Sequence, residues 1–208
     1  MQYPLFNKII KVGKTNFEEP NTLDRYQEKI FLWIFPGFIK PNHLTLFRYL
    51  TIPPVILLLE YNLYAIALPL FLISVATDAF DGAMARTRKQ ITSWGKMHDP
   101  LADKLLIGTV GFILITKYIG IEIILIILFL ELLTIVAALS LYDPEDNPGA
   151  RLPGKVKMFS QSLGLILLLV FAITGNFVTL FLSMALFYIS ILFSVLNVLF
   201  CTFFAKSL

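Results

Sequence analysis

Ile121–Leu141 reads IEIILIILFLELLTIVAALSL, 21 residues in which only Glu122 and Glu131 are charged. Wound as an α-helix at about 1.5 Å per residue, such a run matches the roughly 30 Å hydrocarbon layer of a bilayer. Five further apolar segments flank it: 43–59, 63–77 and 100–119 before it, 159–174 and 178–204 after it. Hydrophobic residues make up 57% of the 208-residue chain and charged residues 15%, against about 25% charged in soluble domains. A soluble core of this size does not absorb that much apolar surface, so the surface must face lipid. The expected fold class is all-α integral membrane, with six transmembrane helices.

An N-terminal interfacial amphipathic helix is expected ahead of them, over 22–36. Leu23, Tyr26, Ile30 and Ile34 recur at spacings of three and four, while Asp24, Arg25, Glu28 and Lys29 fall on the other face. Trp33 and Phe35 suit the headgroup boundary. Pro36, Gly37 and Pro41 break the chain between this helix and the first crossing. The expected division is therefore 1–37, a cytoplasmic lead with the interfacial helix, and 38–208, the six-helix transmembrane domain. The first 40 residues have no apolar core of signal-peptide type.

Charge sets the orientation. Six crossings put both termini on one side, with the loops at 86–98 and 142–158. Of the 17 Lys and Arg residues only Lys117 falls toward the other side. The positive-inside rule makes the shared side cytoplasmic, in a plasma or inner membrane. The formal net charge of +3 is too small to argue for a nucleic-acid partner, and the single cysteine, Cys201, leaves no internal disulfide to form.

The chemistry lies where the second and third apolar segments meet. Thr77-Asp78-Ala79-Phe80-Asp81-Gly82-Ala83-Met84-Ala85-Arg86 is followed by Gly95, Asp99 and Asp103. Asp78 and Asp81 are three apart, and Asp99 and Asp103 four apart, so each pair shares one helix face. Carboxylates crowded at the ends of two membrane helices repel one another and are costly to bury. A cation between them resolves both problems. Oxygen ligands without neighbouring His or Cys favour a hard divalent ion, Mg²⁺ or Mn²⁺, and two ions suit phosphoryl chemistry. The plainer reading is helix capping, or pairing with Arg86, Arg88 and Lys104. Gly82, Ala85 and Gly95 either let a ligand approach the backbone or serve helix packing. Arg86 offers a fork of donors suited to a diphosphate, or simply snorkels to the interface.

Asp78-x2-Asp81-Gly82-x2-Ala85-Arg86-x8-Gly95-x3-Asp99-x3-Asp103 resembles the full signature of the CDP-alcohol phosphotransferase family, at every fixed position and spacing. The resemblance implies that Asp78, Asp81 and Asp99 hold the metal ions, with Asp103 on or near one of them. Asp103 would act as general base toward the acceptor hydroxyl. Gly82, Ala85, Arg86, Thr92 and Gly95 would line the site of the CDP-linked donor. Asn42 and Thr45, in Pro41-Asn42-His43-Leu44-Thr45, resemble the family's first-helix motif near the nucleotide. A homodimer is also implied.

Asp99-Pro100-Leu101-Ala102-Asp103-Lys104 is similar to the corresponding run of the phosphatidylglycerophosphate synthases, which implies CDP-diacylglycerol as donor, glycerol 3-phosphate as acceptor and CMP as product. Gly154-Lys155-Val156-Lys157 resembles a later motif of that group, with Met158 in place of Thr. Arg151, Lys155 and Lys157, expected to face the cytoplasm, would grip an acceptor phosphate, or simply obey the positive-inside rule. Leu130-Glu131 stands where the group shows Arg-Glu. Glu131 is an intramembrane acid, and so either functional or hydrogen-bonded to Thr134 or a neighbouring helix. Phosphatidylglycerol or inositol phosphate is the alternative acceptor. A cation transporter is the alternative of another class, disfavoured because the acids gather at one interface and no inverted repeat is visible.

Overall fold

The computed structural model describes residues 41–87, 93–141 and 152–204. The interfacial helix expected over 22–36 lies outside the described residues. Those described form six α-helices: α1 Pro41–Glu60, α2 Tyr64–Thr87, α3 Ser93–Tyr118, α4 Ile121–Leu141, α5 Leu152–Thr174 and α6 Phe177–Phe204. Each holds all but at most one residue of one of the six apolar segments, and several reach past it. α2 continues to Thr87, well beyond the apolar run ending at 77, α3 begins at Ser93 rather than 100, and α5 at Leu152 rather than 159. An apolar run ends where lipid ends, whereas backbone N–H and C=O groups need partners beyond that point. The helical ladder therefore carries on through the polar, site-bearing residues.

Among the described residues, Asn42–Glu60, Pro153–Thr174 and Phe177–Leu199 are long and apolar enough to cross a membrane. Exposed Leu50, Leu57, Phe129, Phe177, Phe181 and Leu192 put large apolar side chains on the outside, as lipid-facing surfaces require.

The helix ends follow from local chemistry. At the end of α1 the Leu63 N–H donates to Leu58 O and the Asn62 N–H to Leu59 O, with Asn62 at φ 58°. This is a Schellman ending with Asn in the left-handed position. At the end of α5 the Gly175 N–H donates to Phe171 O at 2.7 Å, and Gly175 has φ 67°. Asn176 then caps α6, its Oδ1 accepting from the Val178 N–H at 2.9 Å.

The chain falls into two compact units, Met1–Leu106 and Ile107–Leu208. In the first, α1 packs on α2. α1 buries Leu44, Thr45, Arg48, Thr51, Val55 and Leu59, and α2 buries Tyr64, Ala67, Phe71, Ser74 and Thr77, both at helical spacing. In the second, α6 packs against α5 and α4. Its buried seam is Ser183, Phe187, Ser190 and Ser194, with Phe187 against Gly164 of α5. Each seam serine returns its hydroxyl to its own helix: Ser183 to Leu180 O, Ser190 to Phe187 O and Ser194 to Ser190 O. Small hydroxyl residues can thus line an apolar seam without an unmet donor.

Candidate active site

The site is built in the first unit. Along α1, Thr45 and Arg48 are three residues apart and so share a face. Both are buried, Arg48 to 0% exposure. The Thr45 hydroxyl donates a short hydrogen bond to Asp99 Oδ1 on α3. Arg48 Nη1 lies 3.0 Å from Asp78 Oδ1 on α2 and 3.5 Å from the Asp99 carbonyl oxygen. One turn of α1 therefore reaches an acid on each of the two neighbouring helices.

Hydroxyl groups fill the space beneath. Ser74 Oγ donates to Thr51 Oγ1 at 2.7 Å, Thr51 Oγ1 to Arg48 O at 2.8 Å, and Thr77 Oγ1 to Ser74 O at 2.7 Å. The Ser74–Thr51 bond ties α2 to α1 one turn before Asp78, and the other two return hydroxyls to their own helices. Beside them, Tyr49 OH donates to the His98 carbonyl at 3.3 Å and lies 3.4 Å from His98 Nδ1. His98 is thus a hydrogen-bonding neighbour of the acidic turn.

α3 turns Gly95, Ala102, Asp103 and Leu106 inward, with Asp99 partly covered. Asp103 is only 4% exposed, whereas the Asp78 side chain keeps 39% of its surface. Asp99 precedes the apolar run that begins at Pro100. Burial pushes its carboxyl above the usual carboxylate range, opposed by the Thr45 hydrogen bond and the Arg48 charge, with Asp78 adding repulsion. Asp78, Asp99 and Asp103 offer oxygen only, the donor chemistry a hard divalent ion takes. Among the described residues no three His, Cys, Asp or Glu side chains close around one point. The Asp81 side chain lies outside the described set.

Of the other expected site residues, Gly82, Ala85 and Arg86 lie on the last turns of α2, Arg86 in helix rather than in the loop expected over 86–98, with side chains outside the described set. Thr92 and Arg151 lie outside the described residues, and Asn42 is partly covered at the start of α1. Lys155 is exposed. Lys157 is not the expected cytoplasm-facing cation: its side chain is 5% exposed, with Nζ 2.7 Å from Glu131 Oε1 on α4. Glu131 has a neighbouring helix as its partner, and the Thr134 hydroxyl donates instead to Leu130 O. An acid in α4 and a lysine in the first turns of α5 each lower the burial cost of the other.

Arg48 and Tyr49 were missed as site residues. The missed signal is Arg48 itself: a permanent cation in an apolar helix, three residues after Thr45, needs an acidic partner.

A family model described as CDP-alcohol phosphatidyltransferase matches residues 38–196. The chain belongs to the CDP-alcohol phosphatidyltransferase family. The matched span holds α1 to α5 whole and most of α6, so all the side chains described above fall inside it. Membership, together with the three apolar helices, makes this a membrane protein of the CDP-alcohol phosphatidyltransferase type.

Three similar proteins carry the name CDP-diacylglycerol--glycerol-3-phosphate 3-phosphatidyltransferase. That of Rickettsia typhi is 45% identical over 80 residues, 37% of this chain and 45% of that protein. That of Pseudomonas fluorescens is 36% identical over 140 residues, 62% of this chain and 71% of that protein. That of Escherichia coli is 38% identical over 82 residues, 38% of this chain and 44% of that protein. The chain thus spans less than half the length of the Rickettsia and Escherichia relatives in these matches.

Proposed function

We propose that this protein transfers a phosphatidyl group from CDP-diacylglycerol to glycerol 3-phosphate, releasing CMP, as a step of membrane phospholipid synthesis. The observation that carries the reading is the gathering of Asp78 and Asp99 around Thr45 and Arg48, with buried Asp103 one turn further along α3. The donor and acceptor are those in the relatives' names.

In this reading Asp78, Asp81, Asp99 and Asp103 hold two divalent ions, Mg²⁺ or Mn²⁺. Those ions, when bound, neutralise the charge that grows on the leaving phosphate. The chain's own groups do the rest. Asn42, Thr45, Gly82, Ala85, Arg86, Thr92 and Gly95 seat the cytidine diphosphate, Arg86 through a forked pair of donors. Asp103 takes the proton of the acceptor hydroxyl. The freed oxygen bonds to the phosphorus that carries the lipid, the bond from that phosphorus to CMP breaks, and the CMP oxygen keeps the electron pair. Arg151 and Lys155 are assigned to the acceptor's phosphate, while Lys157, buried against Glu131, is not. The helices cross the membrane six times behind an interfacial helix at 22–36, with both termini and the site cytoplasmic, and the working unit is a homodimer.

The test is CMP release by the purified protein in detergent with Mg²⁺ and CDP-diacylglycerol. Glycerol 3-phosphate, phosphatidylglycerol, inositol phosphate and serine are offered in parallel. Release with glycerol 3-phosphate alone is expected. Release with another alcohol keeps the chemistry and replaces the acceptor. Absence of both release and nucleotide binding returns the metal site to a cation carrier.

A further inference from the structure

Arg48 carries a charge that it cannot give up, at a position that water does not reach. A guanidinium so placed is tolerated only when paired. Its contacts on α2 and α3 include Asp78 Oδ1 at 3.0 Å and the Asp99 carbonyl at 3.5 Å. Both residues belong to the proposed metal site, and the inference rests on that reading. Arg48 approaches from the dry side of α1, while the Asp78 side chain keeps an open side. Thr45, one turn earlier, satisfies Asp99 Oδ1 without adding charge. One carboxylate of the cluster thus meets a fixed protein cation before any metal ion arrives.

We propose that Arg48 is a built-in countercharge that shares Asp78 with the metal ion. It lets the acidic ends of α2 and α3 come together in the metal-free protein, where like charges would otherwise drive them apart. By the same electrostatics it weakens divalent-ion binding, because two cations compete for one carboxylate. The two roles are reciprocal: whatever Arg48 contributes to the empty site is lost from the affinity of the filled one.

The test uses the full chain in detergent, with Mn²⁺ alone as probe. Mn²⁺ affinity is read from the electron paramagnetic resonance of the free ion, and thermal unfolding is followed in EDTA and in Mn²⁺. For Arg48→Gln the expected result is Mn²⁺ binding about tenfold tighter, which is about 1.4 kcal/mol, with a wider gap between the two melting temperatures. Arg48→Lys, which keeps the charge, stays near the unaltered protein. If Arg48→Gln unfolds in EDTA, Mn²⁺ is expected to restore it, because the ion replaces the missing charge. Unchanged or weaker Mn²⁺ binding, or a fold lost with and without Mn²⁺, would overturn the countercharge role. If the unaltered protein itself binds no Mn²⁺, it is the metal-site reading that fails.

Discussion

Lys157 Nζ stands 2.7 Å from Glu131 Oε1, joining α5 to α4 by an ion pair that water scarcely reaches. Removing one partner of such a pair strands the other charge, at a cost of about 3–5 kcal/mol, whereas removing both is often nearly neutral. With the Glu131 side chain still 18% exposed, the low end applies. Glu131→Leu should therefore destabilise the protein by about 3 kcal/mol. The pair Glu131→Leu with Lys157→Met should recover most of it. Thermal unfolding of the three variants in detergent reads the difference, and equal losses in the single and double variants would show that the two charges are not coupled.

Asp103→Asn removes the proposed general base and keeps the shape of a side chain that is only 4% exposed. Turnover should fall by about 10²–10⁴-fold, while CDP-diacylglycerol still binds. Initial rates of CMP release, set beside donor binding at equilibrium, separate the two effects. Full activity would assign the proton to another group.

Gly164 of α5 lies so close to Phe187 of α6 that a β-carbon there would stand 3.0 Å from Cε1 and 3.1 Å from Cζ. Phe187 is buried, at 1% exposure, so its ring must give way within packed surroundings. Gly164→Ala should cost about 1–3 kcal/mol through overpacking. Adding Phe187→Leu should return part of that loss, a non-additive pattern that a double-mutant cycle measures.

Two inter-helix glycines differ in what they tolerate. Gly120 has φ 148°, and a β-carbon there meets Glu122 Oε2 at 2.6 Å. Gly175 has φ 67° with nothing within 4 Å of a β-carbon. The Glu122 carboxylate is the far end of a flexible side chain and can move, so backbone conformation decides the cost. Left-handed residues cost about 1–2 kcal/mol outside glycine, and more extended positive-φ regions up to about 3 kcal/mol. Gly120→Ala should lower the melting temperature more than Gly175→Ala. Equal shifts would contradict this ranking.

Six helices could be read from apolar runs, and the grouping of acids from their spacing. Asp78 and Asp81, or Asp99 and Asp103, are near neighbours in the chain, and helical geometry alone puts each pair on one face. The same local rule placed Thr45 on α1. It did not show that Thr45 meets Asp99 or that Arg48 meets Asp78, because those partners are tens of residues away. Nor did it show the ends of α2, α3 and α5, which run into polar sequence where hydropathy carries no signal.

Lys157 marks the boundary most sharply. Its charge and its place near a helix start argue for the cytoplasmic face, and any scale of single-residue transfer energies agrees. The fold buries it all the same, because Glu131 on another helix arrives at hydrogen-bonding distance and changes the cost. Composition, periodicity and motif are properties of neighbours along the chain, and from them follow the all-helical membrane class and the acidic motif. Which charges are paired, and so which remain to hold an ion or a phosphate, depends on distances between helices. Those are set by side-chain packing across the fold, as where α1 meets α2 and α5 meets α6.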